Sequence, residues 1–199
     1  MSSRELTGQQ KKALRTEMMH LRREMPFAVR AAADHAIADA VLASPEYAAA
    51  KQVFAYVSMP HEVGTRELLA RMLADGKTVG LPVCEMQTHT MLFYRLDSMT
   101  ELVSGAYRIP VPPVSPERLL HPAADTLMLV PMLAFDGDGY RLGAGGGYYD
   151  RYLAANRVQT IGICYAACRQ AQLPHDEYDR TLTCCVTEQK REDFYGRSE

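Results

Sequence analysis

A short apolar run, Leu127 to Val130, leads into Pro131, then Asp136-Gly137-Asp138-Gly139, then a cluster of Gly143, Gly145, Gly146 and Gly147 before Tyr148-Tyr149-Asp150-Arg151-Tyr152. The apolar run suits a buried strand. Proline cannot donate to a central ladder, so Pro131 ends it. The Asp-Gly repeat is turn chemistry, and Tyr148 to Ala155 continues as a helix. Strand, glycine loop and helix start together make an anion site. Glycines let backbone N–H groups approach a phosphate without a Cβ, and the helix N-terminus adds unpaired donors and a positive dipole end. Arg141 brings a charged fork that matches phosphate oxygens. Asp150, just past the glycines, suits a magnesium ion beside those phosphates. A tight turn that binds nothing fits the glycine count equally well. The loop is not a Walker A loop, since no Gly-Lys-Ser/Thr follows, and the Gly-x-Gly-x-x-Gly order of a dinucleotide site fails.

The chain of 199 residues is long enough for one domain with a substantial core. Its net charge of −2 gives no electrostatic reason to expect nucleic acid or an anionic membrane as partner. The longest apolar stretch, Leu127 to Phe135, is broken by Pro131 and falls short of the ~20 residues that a span needs. Arg4, Lys11 and Lys12 have no apolar segment behind them, so no signal peptide is expected and the cytoplasm is the default. The 5 cysteines include no Cys-x-x-Cys, and Cys84, Cys164, Cys168, Cys184 and Cys185 read as reduced, mostly buried thiols.

Along the chain, Leu14, Met18, Leu21 and Met25 form an apolar stripe on a first helix. Thr7 is its expected cap, Met25-Pro26 its end, and Lys11, Lys12, Arg15, Arg22 and Arg23 its solvated basic face. An alanine-rich helix follows from about Ala28 to Ala43, and Ser44-Pro45-Glu46 starts another turn. Lys51 to Val57 reads as the first strand, with Ser58 to Thr65 as the loop at its carboxyl end, where ligands sit in open α/β sheets. Glu62 in that loop is, by itself, a surface acid. Thr65 caps a helix from Arg66 to Ala74 that Gly76 stops. Strands follow at Lys77 to Val83, ending at Pro82, and at Thr90 to Leu96. Residues 97 to 124, with five prolines, read as a long extended connection, and Thr160 to Tyr165 and Leu182 to Thr187 as the last strands.

The segments Pro131 to Asp136 and Gly139-Tyr140-Arg141-Leu142-Gly143-Ala144-Gly145-Gly146-Gly147-Tyr148-Tyr149-Asp150-Arg151 resemble the signature of 5-formyltetrahydrofolate cyclo-ligases, also called methenyltetrahydrofolate synthetases. The resemblance covers nearly the whole chain and assigns expectations residue by residue. It implies that Lys11 and Arg15, a Lys-x-x-x-Arg pair on the first helix, reach ATP phosphates together with Arg141 as the catalytic cations. It implies ATP contacts for Leu142, Gly143, Ala144, Gly145, Gly146, Gly147, Tyr148 and Tyr149, and a magnesium ligand in Asp150. Folate contacts fall on Val57, Glu62, Gly145, Gly147 and Tyr148, and, less closely matched, on Tyr107 before Ile109-Pro110. A carboxylate at Glu62 suits a pterin ring because it accepts from two adjacent ring N–H groups. Asp179 and Thr187-Glu188 fit the family's C-terminal pattern, but Thr183 replaces an acid that serves some members as a second magnesium ligand. Ala144 and Gly146 stand where some members carry basic residues.

Helices alternating with apolar strands predict a single three-layer α/β/α domain with a mostly parallel sheet. The resemblance implies ATP- and magnesium-dependent cyclisation of 5-formyltetrahydrofolate to 5,10-methenyltetrahydrofolate, with ADP and phosphate released, by a protein expected to be a monomer. Two other readings stay open. One is a non-catalytic folate- or nucleotide-binding homologue, motivated by Ala144, Gly146 and Thr183. The other is a thiol redox or metal protein built on the cysteines.

Overall fold

Helix α1, Ser3–Glu24, forms on the stripe that the sequence marks, and it ends just before Pro26. The computed structural model describes residues 3–194. Met18 is fully buried, with Leu14, Leu21 and Met25 packed half-buried against the core. Thr7 does not cap this helix but lies inside it. Arg22 departs furthest from expectation. It is 1% exposed rather than part of a solvated face.

Helix α2, Phe27–Leu42, buries Ala33, Ile37, Ala38 and Val41. The short α3, Pro45–Ala49, begins as the sequence predicts, with Ser44 Oγ accepting from Tyr47 N at 3.2 Å. Strand β1 is Gln52–Phe54, shorter than its apolar run, because the chain leaves the ladder after Ala55 N donates to Gly80 O. Helix α4, Arg66–Ala74, stops at Gly76, whose φ of 74° is left-handed. Strand β2, Thr78–Glu85, runs through Pro82 instead of ending there. Beyond Gly80 the β1 ladder has already finished, so only β3, Thr90–Leu96, still pairs with β2 at that level.

The long connection is extended over short stretches, β4 Val103–Ser104, β5 Pro110–Val111 and β6 Leu119–Leu120, separated by 3-10 turns. Then come β7 Thr126–Pro131, β8 Ala134–Phe135, β9 Arg141–Leu142, α5 Tyr148–Ala155, β10 Gln159–Ile163, β11 Cys184–Val186 and β12 Arg191–Asp193.

Eight strands form one sheet in the order β12-β11-β10-β7-β1-β2-β3-β6. The inner strands β11, β10, β7, β1 and β2 are parallel, while β12, β3 and β6 join the flanks antiparallel. Adjacent strand residues point to opposite faces. Val53 and Phe54 are neighbours on β1 and both are 0% exposed, so both faces of the sheet are covered. Phe54 stacks on Phe93 with ring centroids 4.1 Å apart, and Tyr152 of α5 meets both rings edge-on. The result is α/β, with helices against a mostly parallel sheet. No described helix is long and apolar enough to cross a membrane. All five cysteines are free thiols, and four are buried.

From β1 the chain moves to β2 and β3 on one side, and from β7 to β10 and β11 on the other. The crevice beyond the carboxyl ends of β1 and β7 is therefore a topological switch point, the place where open α/β sheets take ligands. The loops after these two strands carry Glu62 and the glycine cluster.

The β8–β9 ribbon is closed by a buried acid. Asp136 is 1% exposed. Its Oδ1 accepts from Asp138 N at 3.0 Å and Tyr140 N at 3.1 Å, and its Oδ2 accepts from Leu173 N at 2.8 Å. Asp136→Ala would orphan these donors. We expect a loss of about 3 kcal/mol of unfolding free energy in urea titration, with Asp136→Asn, which retains one acceptor, losing less.

Candidate functional site

Three segments converge at the switch point. The first is the loop after β1. Ala55, Tyr56 and Val57 are buried as the chain leaves the sheet. Thr65 does not cap α4 with its side chain. Its Oγ1 instead donates to Tyr56 O at 2.6 Å and accepts from Ser58 N at 2.9 Å, while Ser58 Oγ accepts from Thr65 N at 3.2 Å. This clasp closes the loop and presents Glu62 at its tip. Glu62 Oε2 accepts from Met59 N at 2.7 Å. The loop also docks on α2. Tyr165 donates to Asp34 Oδ1 at 2.7 Å and lies 3.1 Å from Glu62 O, and Arg30 Nη1 donates to His61 Nδ1 at 2.6 Å. Gly64 is needed for that contact, since a Cβ there would lie 2.6 Å from Asp34 Oδ2.

Burial pushes the Glu62 carboxyl above its usual value; the Met59 N–H and the Arg22 charge oppose this without cancelling it. The Tyr56 and Tyr149 hydroxyls are held un-ionised, first by burial, with the Glu62 charge adding to it in each. The Glu62 charge is thus close enough to raise both hydroxyls.

The second segment is the glycine loop. It runs from β9 into α5, with Gly145 at φ 106° and Gly147 at φ 66°. A Cβ at Gly146 would lie 2.8 Å from the Tyr148 ring, so side chains are barred by backbone conformation and by space. Leu142 is buried and Ala144 is exposed. The Arg141 side chain is 3% exposed; its Nη2 lies 3.0 Å from Asp150 Oδ1, and its Nη1 donates to Arg180 O at 2.6 Å. Asp150 Oδ1 also accepts from Arg180 N at 3.1 Å.

The third segment is α1. Arg15 Nε donates to Gly143 O at 2.9 Å, and a Cβ on Gly145 would touch its guanidinium at 3.4 Å. Lys11, one turn earlier, is held by Asp179 and by Asp176 at 3.1 Å. Arg15, by contrast, has no carboxylate partner among the described residues, which leaves the loop's outer face positively charged.

Of the residues marked in the sequence, Arg15 meets the glycine loop at Gly143, Arg141 pairs with Asp150, and Lys11 pairs with Asp176 and Asp179. Tyr148 and Tyr149 open α5, and Glu62 stands on the loop after β1, with Val57 buried where that loop begins. Tyr107 falls in the 3-10 turn Ala106–Arg108, and its side chain lies outside those described. Thr183 turns its hydroxyl to Thr160 O. No group of three or more metal-type side chains occurs among the described residues. Asp150, the carboxylate that follows the glycine loop, is a donor of the type magnesium takes alongside phosphate oxygens and waters. Two open clefts flank the crevice. One, of about 370 Å³, is lined by Arg30, Asp34, His61, Glu62 and Tyr165. The other, of about 560 Å³, is lined by Asn156, Thr160, Arg180 and Thr183. Neither includes the glycine loop. The sequence analysis assigned no such contacts to Asp34, Tyr165, Arg151 or Arg22, and only their partners in space mark them.

The arrangement is an α/β sheet whose switch-point loops carry a glycine cluster, cations and carboxylates. Comparison with known proteins narrows the class. The chain belongs to the 5-formyltetrahydrofolate cyclo-ligase family, whose model matches residues 7–188. It is 28% identical over 181 residues to the 5-formyltetrahydrofolate cyclo-ligase of Haemophilus influenzae, covering 89% of this chain and 97% of the relative. The enzyme of that name from Mycolicibacterium smegmatis is 31% identical over 190 residues, covering 92% of this chain and 95% of its own. The structure of 5,10-methenyltetrahydrofolate synthetase from Aquifex aeolicus superimposes with a TM-score of 0.81 at 30% identity, covering 95% of each chain.

The raised Glu62 carboxyl sets a direction for stability. An acid whose folded value exceeds its unfolded one holds more protons in the folded state, so stability falls as pH rises between the two values. Glu62→Gln keeps an acceptor for Met59 N and removes the charge. We expect it to melt at a higher temperature than wild type at neutral pH, with the gap closing as the pH is lowered past the ordinary carboxylate range.

Proposed function

We propose that this protein catalyses the ATP- and magnesium-dependent cyclisation of 5-formyltetrahydrofolate to 5,10-methenyltetrahydrofolate, releasing ADP and phosphate. One observation carries the reading. In a chain of this family, the loop after β1 carries a partly desolvated carboxylate, Glu62, and Arg15 and Arg141 stand at the glycine loop between β9 and α5.

The N5-formyl group is amide-like, and its carbon is a poor electrophile. If its oxygen attacks the γ-phosphorus of ATP, an O–P bond forms, the bond to the β-phosphate oxygen breaks, and ADP leaves. The formyl carbon is then electrophilic. Attack by N10 closes the ring, N10 gives up its proton, and the former formyl C–O bond breaks, so that phosphate leaves with the formyl oxygen. Little covalent chemistry falls to the protein, whose work is positioning and charge neutralisation. Glu62 accepts from pterin N–H groups, with Val57 and Tyr148 packing beside the ring. Arg15, Lys11, Arg141 and the amides of residues 143 to 147 hold phosphate oxygens. Magnesium would be held by Asp150 and would neutralise phosphate charge. The carboxylates of Asp150, Asp176 and Asp179 hold Arg141 and Lys11 in place.

Thr183 motivates the alternative, a homologue that binds folate and nucleotide without turnover. Absorbance in the methenyl band, recorded with purified protein, 5-formyltetrahydrofolate and Mg-ATP, separates the two. We expect the band to grow with wild type and to slow roughly 100-fold or more with Arg141→Ala and with Asp150→Ala. Binding of both ligands without a band would support the non-catalytic homologue. Neither binding nor a band would overturn both readings.

A further inference from the structure

A loop of glycines has no side chains with which to hold itself. Each glycine loses more conformational freedom on ordering than any other residue. The preorganised amides that an anion site requires must therefore be fixed from outside the loop. Arg15 fixes one end through Gly143 O. The other end is fixed by a residue that the proposed chemistry leaves unused, Arg151 of α5.

The Arg151 guanidinium uses two donors of its planar fork on two separate stretches of backbone. Nη2 donates to Gly146 O, and Nε donates to His89 O at 3.1 Å. His89 ends the turn between β2 and β3 with φ at 54°, an uncommon conformation for a residue with a side chain. Gly147 makes the approach possible, because a Cβ there would lie 2.9 Å from Arg151 Nη1. The same guanidinium lies over the Tyr148 ring at 5.4 Å, and the His89 ring lies 6.1 Å from Tyr148. One side chain thus ties together the glycine loop, the tyrosine that opens α5 and the β2–β3 turn.

We propose that Arg151 is a positioning residue for the reaction. Its fork clamps the glycine loop to the β2–β3 turn and so orients the phosphate-facing amides and Tyr148 as one unit. The proposal rests on the cyclisation reading for its functional half, and on geometry alone for the clamp. A bidentate bridge is a property of arginine. Lysine would keep the charge over Tyr148 but cannot bridge both carbonyls with fixed geometry. Arg151 is exposed, so its loss removes little packing.

The test compares Arg151→Lys and Arg151→Ala with wild type. In both variants we expect faster amide hydrogen exchange across residues 143 to 147 and KM raised for ATP and 5-formyltetrahydrofolate together. We expect kcat/KM to fall roughly 10- to 100-fold, the scale of a misplaced catalytic element, with the melting temperature nearly unchanged. A purely structural role would lower the melting temperature and the active fraction while leaving both KM values alone. Wild-type behaviour of Arg151→Lys would overturn the clamp in favour of simple charge. Unchanged exchange in either variant would also overturn it. If Arg151→Ala does not fold, Arg151→Lys carries the comparison. A wild-type protein without turnover sinks the cyclisation reading and the functional half of this proposal with it, while the exchange measurement still decides whether the clamp exists.

Discussion

The buried guanidinium of Arg22 ties the parts of this molecule together. A charge taken out of water is costly unless it is hydrogen-bonded on all sides. Arg22 meets that demand with the carbonyls of Met132 and Leu133, the sulfurs of Cys164 and Cys168, and the face of Tyr165. The ends of β7 and β10 are thereby bound to α1, the helix that carries Lys11 and Arg15 to the crevice. No carboxylate among the described residues pairs with Arg22. The thiols answer part of its charge. The Cys168 thiol is drawn below its usual value by a hydrogen bond with Cys164 and by Arg22, while burial pushes Cys164 up. Desolvation works against the Arg22 charge, yet these neighbours more than offset it. Neutral substitution would leave two carbonyls and two sulfurs without their donor, in the part of the fold where α1 meets the sheet.

With α1 fixed, the switch point does the rest. Two adjacent parallel strands whose connections diverge leave a gap that neither neighbouring loop fills. One loop enters the gap with a carboxylate and the other with backbone amides. Their electrostatic demands are opposite. The carboxylate is desolvated and partly stripped of its preference for charge, while the amides are arranged to receive negative charge. The proposed pair of ligands, a folate bringing N–H donors and a nucleotide bringing phosphates, matches that polarity.

Much of this was legible in the sequence where chemistry is local. Glycines with positive φ, the proline before α2, the Ser44 cap, the Gly76 stop and the apolar run of β7 all declare themselves through short-range sterics and periodicity. Glu62 and Arg15 were singled out only through the family resemblance, since a loop acid and a helix-surface arginine look ordinary alone. Other features were hidden because their meaning is tertiary. Arg22 sits among basic residues on α1 and differs from them only in what packs above it. Thr65 stands at a helix start, yet its hydroxyl goes to Tyr56 O, a carbonyl made available by the exit of β1. Pro82 was read as a strand end because the sequence does not show that β1 has already stopped beside it. Asp34 and Tyr165 are 131 residues apart, and nothing in either neighbourhood announces the hydrogen bond between them.

The two rims of the sheet have a bearing on how the molecule behaves in a crowded solution. On one side β6 offers only two residues. On the other, β12 offers three, and each is charged and paired: Arg191 with Glu46 and Asp193, and Glu192 with Arg169 and Lys190. An exposed strand edge is a template on which another chain can add, and short or charged edges refuse that addition. A long parallel interior, rich in branched and sulfur-containing side chains, would be adhesive if laid bare. Among the described residues it is flanked by a two-residue strand at one margin and a charged three-residue strand at the other, features that disfavour the addition of another chain.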